Sequence, residues 1–188
     1  MGAQIGRQQG FVDTNGKLRI ANRYDTVTYF SESMAAVAIR GKWGYVDKIE
    51  RLRVQPLYDA ASPFQEGAAI VSLGGKQGVI TTSGQRILPL EYDKISRLSN
   101  GRLLLQQGPL LGLADAKGNR IVSPKYDAIQ DLQNGYLLVS RGGKKGLIST
   151  SGVSTIPLMW DVLVYDAKNG LYLCTQNREA ARRINLQR

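Results

Sequence analysis

The chain has no histidine and a single cysteine among its 188 residues, and those two scarcities remove much of chemistry at once. Without imidazole there is no histidine base, no histidine metal ligand and no triad built on either. One cysteine, Cys174, forms no internal disulfide and no thiolate metal site, so no metal and no cofactor is expected. Aromatic residues are only 7% of the chain, and no run of eighteen or more apolar residues exists, which excludes a transmembrane helix. Acidic side chains are the scarcer sign: 15 Asp and Glu stand against 25 Lys and Arg, for a net charge of +10. Such a balance favours anionic partners without naming one. The opening Met1-Gly2-Ala3-Gln4-Ile5 lacks the basic stretch and apolar run of a secretory signal. Either the protein stays where it is made or a signal has been removed; residues 1 to 9 fit the end of a repeat better than its start, which favours the second expectation.

What the chain does have is repetition. Gly10, Gly44, Gly78, Gly112 and Gly146 recur every 34 residues. Each is followed fourteen residues later by an aromatic-Asp pair: Tyr24-Asp25, Tyr58-Asp59, Tyr92-Asp93, Tyr126-Asp127 and Trp160-Asp161. A fixed period of this length marks stacked copies of one supersecondary unit, each too small to bury its own apolar face.

Within a copy, two short β-branched runs flank a glycine-rich turn, as in Ile70-Val71-Ser72-Leu73 and Val79-Ile80-Thr81 around Gly74-Gly75, and read as a hairpin of strands A and B. Strand B ends in a turn with an oxygen-bearing side chain first and glycine fourth: Asp13 to Gly16, Thr81 to Gly84, Asp115 to Gly118 and Ser149 to Gly152. One copy departs, with Asp47-Lys48-Ile49-Glu50, and a looser turn is expected there. A third segment, C, carries Pro56, Pro89, Pro124 or Pro157 and is expected to be a short edge strand, since proline lacks the N–H of an interior ladder. A loop is then expected to follow, holding Phe30, Phe64, Leu98 or Leu132 and closing at Gly67, Gly101, Gly135 or Gly170. Strand A is apolar on both faces, so neighbouring copies should cover it from both sides. Cys174 falls in the column of Val37, Val71, Leu105 and Val139 and reads as a small core residue. Only the tail from Arg178 to Ile184 has helical propensity, and it falls where a sixth strand B would come.

The fold class expected is all-β: tandem antiparallel hairpins in five copies, about 6–40, 41–74, 75–108, 109–142 and 143–177, forming a single domain over 1–188. Residues 178–188 are expected to form a C-terminal cap or tail. Copies would stack in an open twisted array resembling a solenoid, with a small closed β-propeller as the alternative, since three short segments are thin for a full blade.

These residues resemble the WG repeat family of bacterial β-repeats, whose unit reads approximately K-x-G-aromatic-I-D-x-x-G, then P-x-x-Y-D, then F-x-x-G. The fullest match is Lys42-Trp43-Gly44-Tyr45-Val46-Asp47, continuing through Pro56, Tyr58-Asp59, Phe64 and Gly67. The tryptophan appears once; the other copies hold Gln9, Gln77, Leu111 and Lys145. The resemblance implies non-catalytic accessory modules in larger or envelope-associated bacterial proteins, so a cell-envelope or secreted setting is favoured over a cytoplasmic one.

The expectation for function is a non-enzymatic module that contacts another protein, or another domain of the parent chain, as a scaffold or spacer, with no small-molecule substrate. The column Asp25, Asp59, Asp93, Asp127 and Asp161 is read as capping backbone N–H groups, because an active site is normally a unique constellation and not one pair repeated. The alternative is a binder of polyanions or glycans, whether cell wall, lipopolysaccharide or nucleic acid, through basic hairpin tips. That ridge runs from Arg7 through Arg40, Lys42, Lys76, Arg141, Lys144 and Lys145, with Trp43 and Tyr45 as a small aromatic contact patch, and the tail adds Arg178, Arg182, Arg183 and Arg188.

Overall fold

The computed structural model describes residues 8–98 and 100–176, and the backbone of 182–185. Arg7, Arg178 and Arg188 lie outside the described residues, as does the rest of the 178–188 tail apart from that backbone segment. The described residues form strands and turns without helix, as the alternating and β-branched runs predict.

Strands β1 (Gln9–Val12) and β2 (Leu18–Tyr24) pair as a two-stranded sheet. Next come β3 (Thr26–Val27), β4 (Met34–Ile39), β5 (Lys42–Asp47) and β6 (Leu52–Tyr58), a four-stranded sheet in chain order. The pattern repeats in β7 (Ala60–Ala61), β8 (Ala68–Leu73), β9 (Lys76–Thr81) and β10 (Arg86–Tyr92). It repeats again in β11 (Lys94–Arg97), β12 (Leu103–Gln107), β13 (Leu110–Ala114) and β14 (Arg120–Tyr126). The last complete sheet is β15 (Ala128–Asp131), β16 (Tyr136–Arg141), β17 (Lys144–Ser149) and β18 (Ser154–Trp160). Strands β19 (Val162–Asp166), β20 (Leu171–Thr175) and β21 (Arg182–Asn185) form a three-stranded sheet. The tail segment with helical propensity is therefore a strand where it is described, pairing with β20 in the place of a strand B.

Two expectations about the unit are corrected. Each complete sheet has four strands, not three, because the residues after the aromatic-Asp pair form an additional short strand against the next strand A, as Ala60↔Ser72 and Ala61↔Val71 show. Segment C is seven residues long in every copy, although proline predicted a short one. It lies at the edge of each four-stranded sheet, as proline requires, but the missing N–H falls in a bulge.

That bulge explains the repeated glycine. Trp43 pairs with Tyr58 and Tyr45 pairs with Val54, so Gln55, Pro56 and Leu57 stand opposite Gly44 alone. The arched backbone leans onto the glycine: a Cβ at Gly44 would lie 2.4 Å from the Val54 carbonyl oxygen. The same two-residue shift recurs between Gln77↔Tyr92 and Val79↔Leu88, and between Lys145↔Trp160 and Leu147↔Ile156.

The departing turn is also corrected. Glu50 N–H donates to Asp47 O at 3.0 Å, as Gly16 does to Asp13 O and Gly84 to Thr81 O at 2.9 Å. The turn is as tight as the others because Glu50 accepts the left-handed conformation, φ +63°, that glycine fills elsewhere. Its carboxylate is anchored by Arg23 at 2.9 Å.

The chain divides into two compact units, Met1–Leu103 with Ala114–Arg120, and Leu104–Leu113 with Ile121–Arg188. In the first, Ile20, Tyr24, Ala35, Val37 and Val46 pack the β1–β2 sheet on the β3–β6 sheet. A second cluster, including Ala36, Tyr45, Tyr58, Phe64, Val71 and Ile80, packs that sheet on β7–β10. Strand β4 is accordingly buried on both faces from Met34 to Ala38. In the second unit, Leu147, Ile156, Trp160, Leu163, Tyr172 and Cys174 form the corresponding layer. Cys174 is fully buried, a core side chain as its column predicts.

Candidate functional site

The repeated charges meet at the A to B hairpin tips. The tips turn through paired left-handed residues, Gly74-Gly75 at φ +60° and +77° and Gly142-Gly143 at +57° and +76°, with Arg40 itself taking +52° before Gly41. At each tip the aspartate of an aromatic-Asp pair supplies an acceptor. Gly41 N–H donates to Asp25 Oδ2 at 3.1 Å, Gly74 N–H to Asp59 Oδ2 at 2.8 Å and Gly142 N–H to Asp127 Oδ2 at 2.7 Å. The backbone of the same aspartates joins the ladder, with Asp59 N–H on Ser72 O at 2.8 Å and Asp127 N–H on Ser140 O at 2.8 Å. Capping of backbone N–H groups is therefore what Asp25, Asp59 and Asp127 do.

The other oxygen of Asp59 takes a lysine, and Asp93 and Asp161 take lysines in the same way. Lys42 Nζ lies 2.5 Å from Asp59 Oδ1, Lys76 Nζ 2.5 Å from Asp93 Oδ1 and Lys144 Nζ 2.6 Å from Asp161 Oδ1. The Lys42 hydrogen bond, then the Gly74 N–H, hold the Asp59 carboxyl below its ordinary value. Three of the basic residues predicted to form a ridge are thus ion-paired with aspartates predicted to be caps, and the two sets form one arrangement. The pairing was present in the sequence as a constant offset of 17 residues between lysine and aspartate.

The remaining predicted site residues divide by exposure. Arg40 and Arg141 are exposed at tips, and Lys145 is half-buried on β17. Trp43 is half-buried and packs on the cluster containing Tyr45, Tyr58 and Phe64. Tyr45, expected in a surface patch with Trp43, has no exposed area. Its ring packs on Phe64 with centroids 4.7 Å apart, its hydroxyl donates to Ser62 O at 2.6 Å, and burial raises its pKa well above the ordinary tyrosine value. The aromatic patch is therefore reduced to Trp43.

At the opposite, B to C, turns the first-position side chains close the loops. Asp47 Oδ1 accepts from Ile49 N–H at 3.0 Å and Arg51 N–H at 2.9 Å, while Arg53 Nε reaches Oδ2 at 2.8 Å. Burial alone would push the Asp47 carboxyl up, but these hydrogen bonds outweigh it and the pKa is lowered. A cleft of about 480 Å³ opens beside this turn, lined by Glu32, Met34, Asp47, Arg53, Thr82 and Ser83. Its ionic groups are committed: Arg53 to Asp47, and Glu32 to the Gly67 N–H at 2.8 Å. Among the described residues no group of three or more His, Cys, Asp or Glu could hold a metal ion. Among the described residues no helix is long and apolar enough to cross a membrane.

The model of the WG containing repeat matches the chain four times, over residues 10–43, 43–76, 78–108 and 112–144. No curated protein matches in sequence. Among solved structures, Hsv2 of Kluyveromyces lactis is similar at 11% identity and a TM-score of 0.33, over 84% of this chain and 59% of that one. A eukaryotic initiation factor is similar at 18% identity and a TM-score of 0.40, over 85% of this chain and 51% of that one. A streptogramin B lyase is similar at 14% identity and a TM-score of 0.32, over 88% and 69%. The chain thus spans little more than half the length of the first two.

Proposed function

Because this chain belongs to the WG containing repeat family, we propose that it is a non-enzymatic repeat module that presents its outer strands to another protein or to another domain of its parent polypeptide. One observation carries this reading: the repeated polar side chains are spent on the fold, while the outward positions differ from copy to copy. The aspartates hold hairpin tips, and three lysines are held by aspartates. The position before the buried aromatic of each edge strand, in contrast, is Arg23, Leu57, Glu91, Lys125 or Met159. Leu57 is 62% exposed and Met159 38% exposed, within bulges that point these side chains outward. A constant frame with variable presented residues suits recognition of a specific protein surface.

The polyanion reading draws on the net charge of +10 and on Arg40 and Arg141, which stay exposed at the tips. It is weakened by the neutralisation of Lys42, Lys76 and Lys144, since a paired cation gives up little further free energy to a phosphate. The experiment is capture of native partners on the immobilised chain across a salt series, with a Leu57→Asp, Met159→Asp variant alongside. Protein retention that survives salt and is lost in that variant is the expected result. Binding to heparin or nucleic acid that fades steeply with salt and disappears in Arg40→Ala, Arg141→Ala would replace the proposal with the polyanion reading.

A further inference from the structure

In the complete sheets, a row of three directly paired residues crosses the strands beside the hairpin tip. In the β3–β6 sheet the row is Thr26, Ala38 and Trp43; in β7–β10 it is Ala60, Ser72 and Gln77; in β15–β18 it is Ala128, Ser140 and Lys145. Directly paired residues share one face of a sheet, so the first two members of each row are the floor over which the third side chain lies. In the first row the floor is small and the third residue is an indole, which is half-buried against the neighbouring apolar cluster.

The other two rows keep a small floor and lose the indole. Each has an open cavity at that place. One, of about 280 Å³, is lined by Ala60, Ser62, Ile70, Val71, Ser72 and Gln77. The other, of about 150 Å³, is lined by Ala128, Gln130, Leu138, Val139, Ser140 and Lys145. These residues hold equivalent positions two copies apart, so the two cavities are one structural feature occurring twice. In the β11–β14 copy the corresponding residues are Lys94, Gln106 and Leu111, whose longer side chains replace the small floor. A small floor therefore goes with an indole or with an open space.

We propose that the cavities at Gln77 and Lys145 are binding sites for a neutral, planar bicyclic aromatic ligand of the indole class, seated as Trp43 is seated in its own copy. The walls supply aliphatic surface from Ile70 in one site and from Leu138 in the other, which share the face of Ser72 and Ser140, while Val71 and Val139 turn into the core. The rims supply polar groups. Gln77 Oε1 is occupied by the Ile95 N–H at 2.6 Å, which fixes the side chain and leaves its Nε2 as the donor. Lys145 places an ammonium beside the second site, where it can lie against a ring face. Both cavities are open to solvent, so a planar bicycle can seat one ring over the small floor and leave the other at the rim.

The test is saturation-transfer NMR with indole as the probe, on the whole chain. Wild type is expected to transfer saturation to indole. Gln77→Trp and Lys145→Trp should each fill one site and reduce the signal, and the folded double variant should abolish it. Ser72→Leu with Ser140→Leu, which raises the floor instead of filling the site, should abolish it as well and serves if the tryptophan variants fail to fold. Absence of transfer in wild type, or an undiminished signal in a folded double variant, would overturn the proposal. Loss of the whole signal in one single variant would overturn the claim of two equivalent sites.

Discussion

Lys42 and Asp59 are 17 residues apart in sequence and meet at 2.5 Å, and the aspartate so held also caps the Gly74 N–H of the next hairpin. One carboxylate thereby joins the tips of two successive sheets, with Oδ1 on the earlier and Oδ2 on the later. Both side chains are close to half exposed, so the Coulomb attraction is screened and the gain is mostly geometric. The arrangement fixes the spacing of consecutive hairpins from the solvent side, while Tyr45, Phe64 and Val71 do so from inside.

Removing the two partners should therefore have unequal effects. Asp59→Ala leaves both an ammonium and a backbone N–H without an acceptor, whereas Lys42→Ala leaves the cap in place. Thermal melts should show the larger fall in Tm for Asp59→Ala. Equal falls would mean that the ion pair, not the cap, is what matters.

Acid should undo the same contact. The folded-state pKa of Asp59 is lowered below its ordinary 3.8, chiefly by Lys42 and then by Gly74. A depressed carboxyl contributes its full stabilisation above the unfolded pKa and loses it as pH falls through the folded value. The Tm difference between wild type and Asp59→Asn should thus be constant at neutral pH and shrink below about pH 4. Melts between pH 7 and pH 2.5 check this, and a difference that grows on acidification would reverse the assigned sign.

The repeated glycine offers a sharper contrast. Gly44 has ordinary backbone angles but no room, with Val54 O 2.4 Å from a built Cβ. Gly41 has room but a φ of +74°. Gly44→Ala should cost on the order of 3 kcal/mol, as overpacking against backbone does, and Gly41→Ala about 1 kcal/mol. Urea denaturation of the two variants would settle the order.

Much of this frame was legible in the sequence. The 34-residue column of glycines and the aromatic-Asp pairs located strands B and C and the caps, because a turn or a close approach admits few residue types. The short strand after each pair was not legible: Ala60–Ala61 and Thr26–Val27 are too short for alternation to register, and their pairing is imposed by the neighbouring strand A. Proline misled about the length of segment C, since the bulge opposite Gly44 absorbs it without ending the strand. Lysines and aspartates were read as two separate features because a hydrogen bond across 17 residues has no local signature. The small floors at Ser72 and Ser140 carry no signal until the row containing Trp43 shows what such a floor supports.

Glu50 shows strain retained for a contact. Its φ of +63° costs a non-glycine residue about 1 kcal/mol or more, and its carboxylate holds Arg23 at 2.9 Å. Glu50→Gly removes both the strain and the pair, while Glu50→Ala removes only the pair. Glu50→Gly should therefore be the more stable variant, by about 1 kcal/mol. Chemical denaturation compares them, and equal stability would mean that the left-handed turn relaxes in the alanine variant.

Trp43 supplies a control built into the same chain. If its indole occupies a seat that the Gln77 and Lys145 copies leave open, then Trp43→Ala should open a third seat over Ala38 and Thr26. The side chain is half-buried, so the loss should be about 2 kcal/mol, below the 3–5 kcal/mol of a fully buried tryptophan. Added indole should recover part of the lost Tm in Trp43→Ala, by mass action on the folded state. The same rescue should be absent in Tyr45→Ala, where the lost ring lies in a closed layer packed on Phe64 and its hydroxyl leaves Ser62 O without a donor. Equal rescue of both variants would indicate nonspecific stabilisation by indole, and rescue of neither would remove Trp43 as the template for the vacant sites.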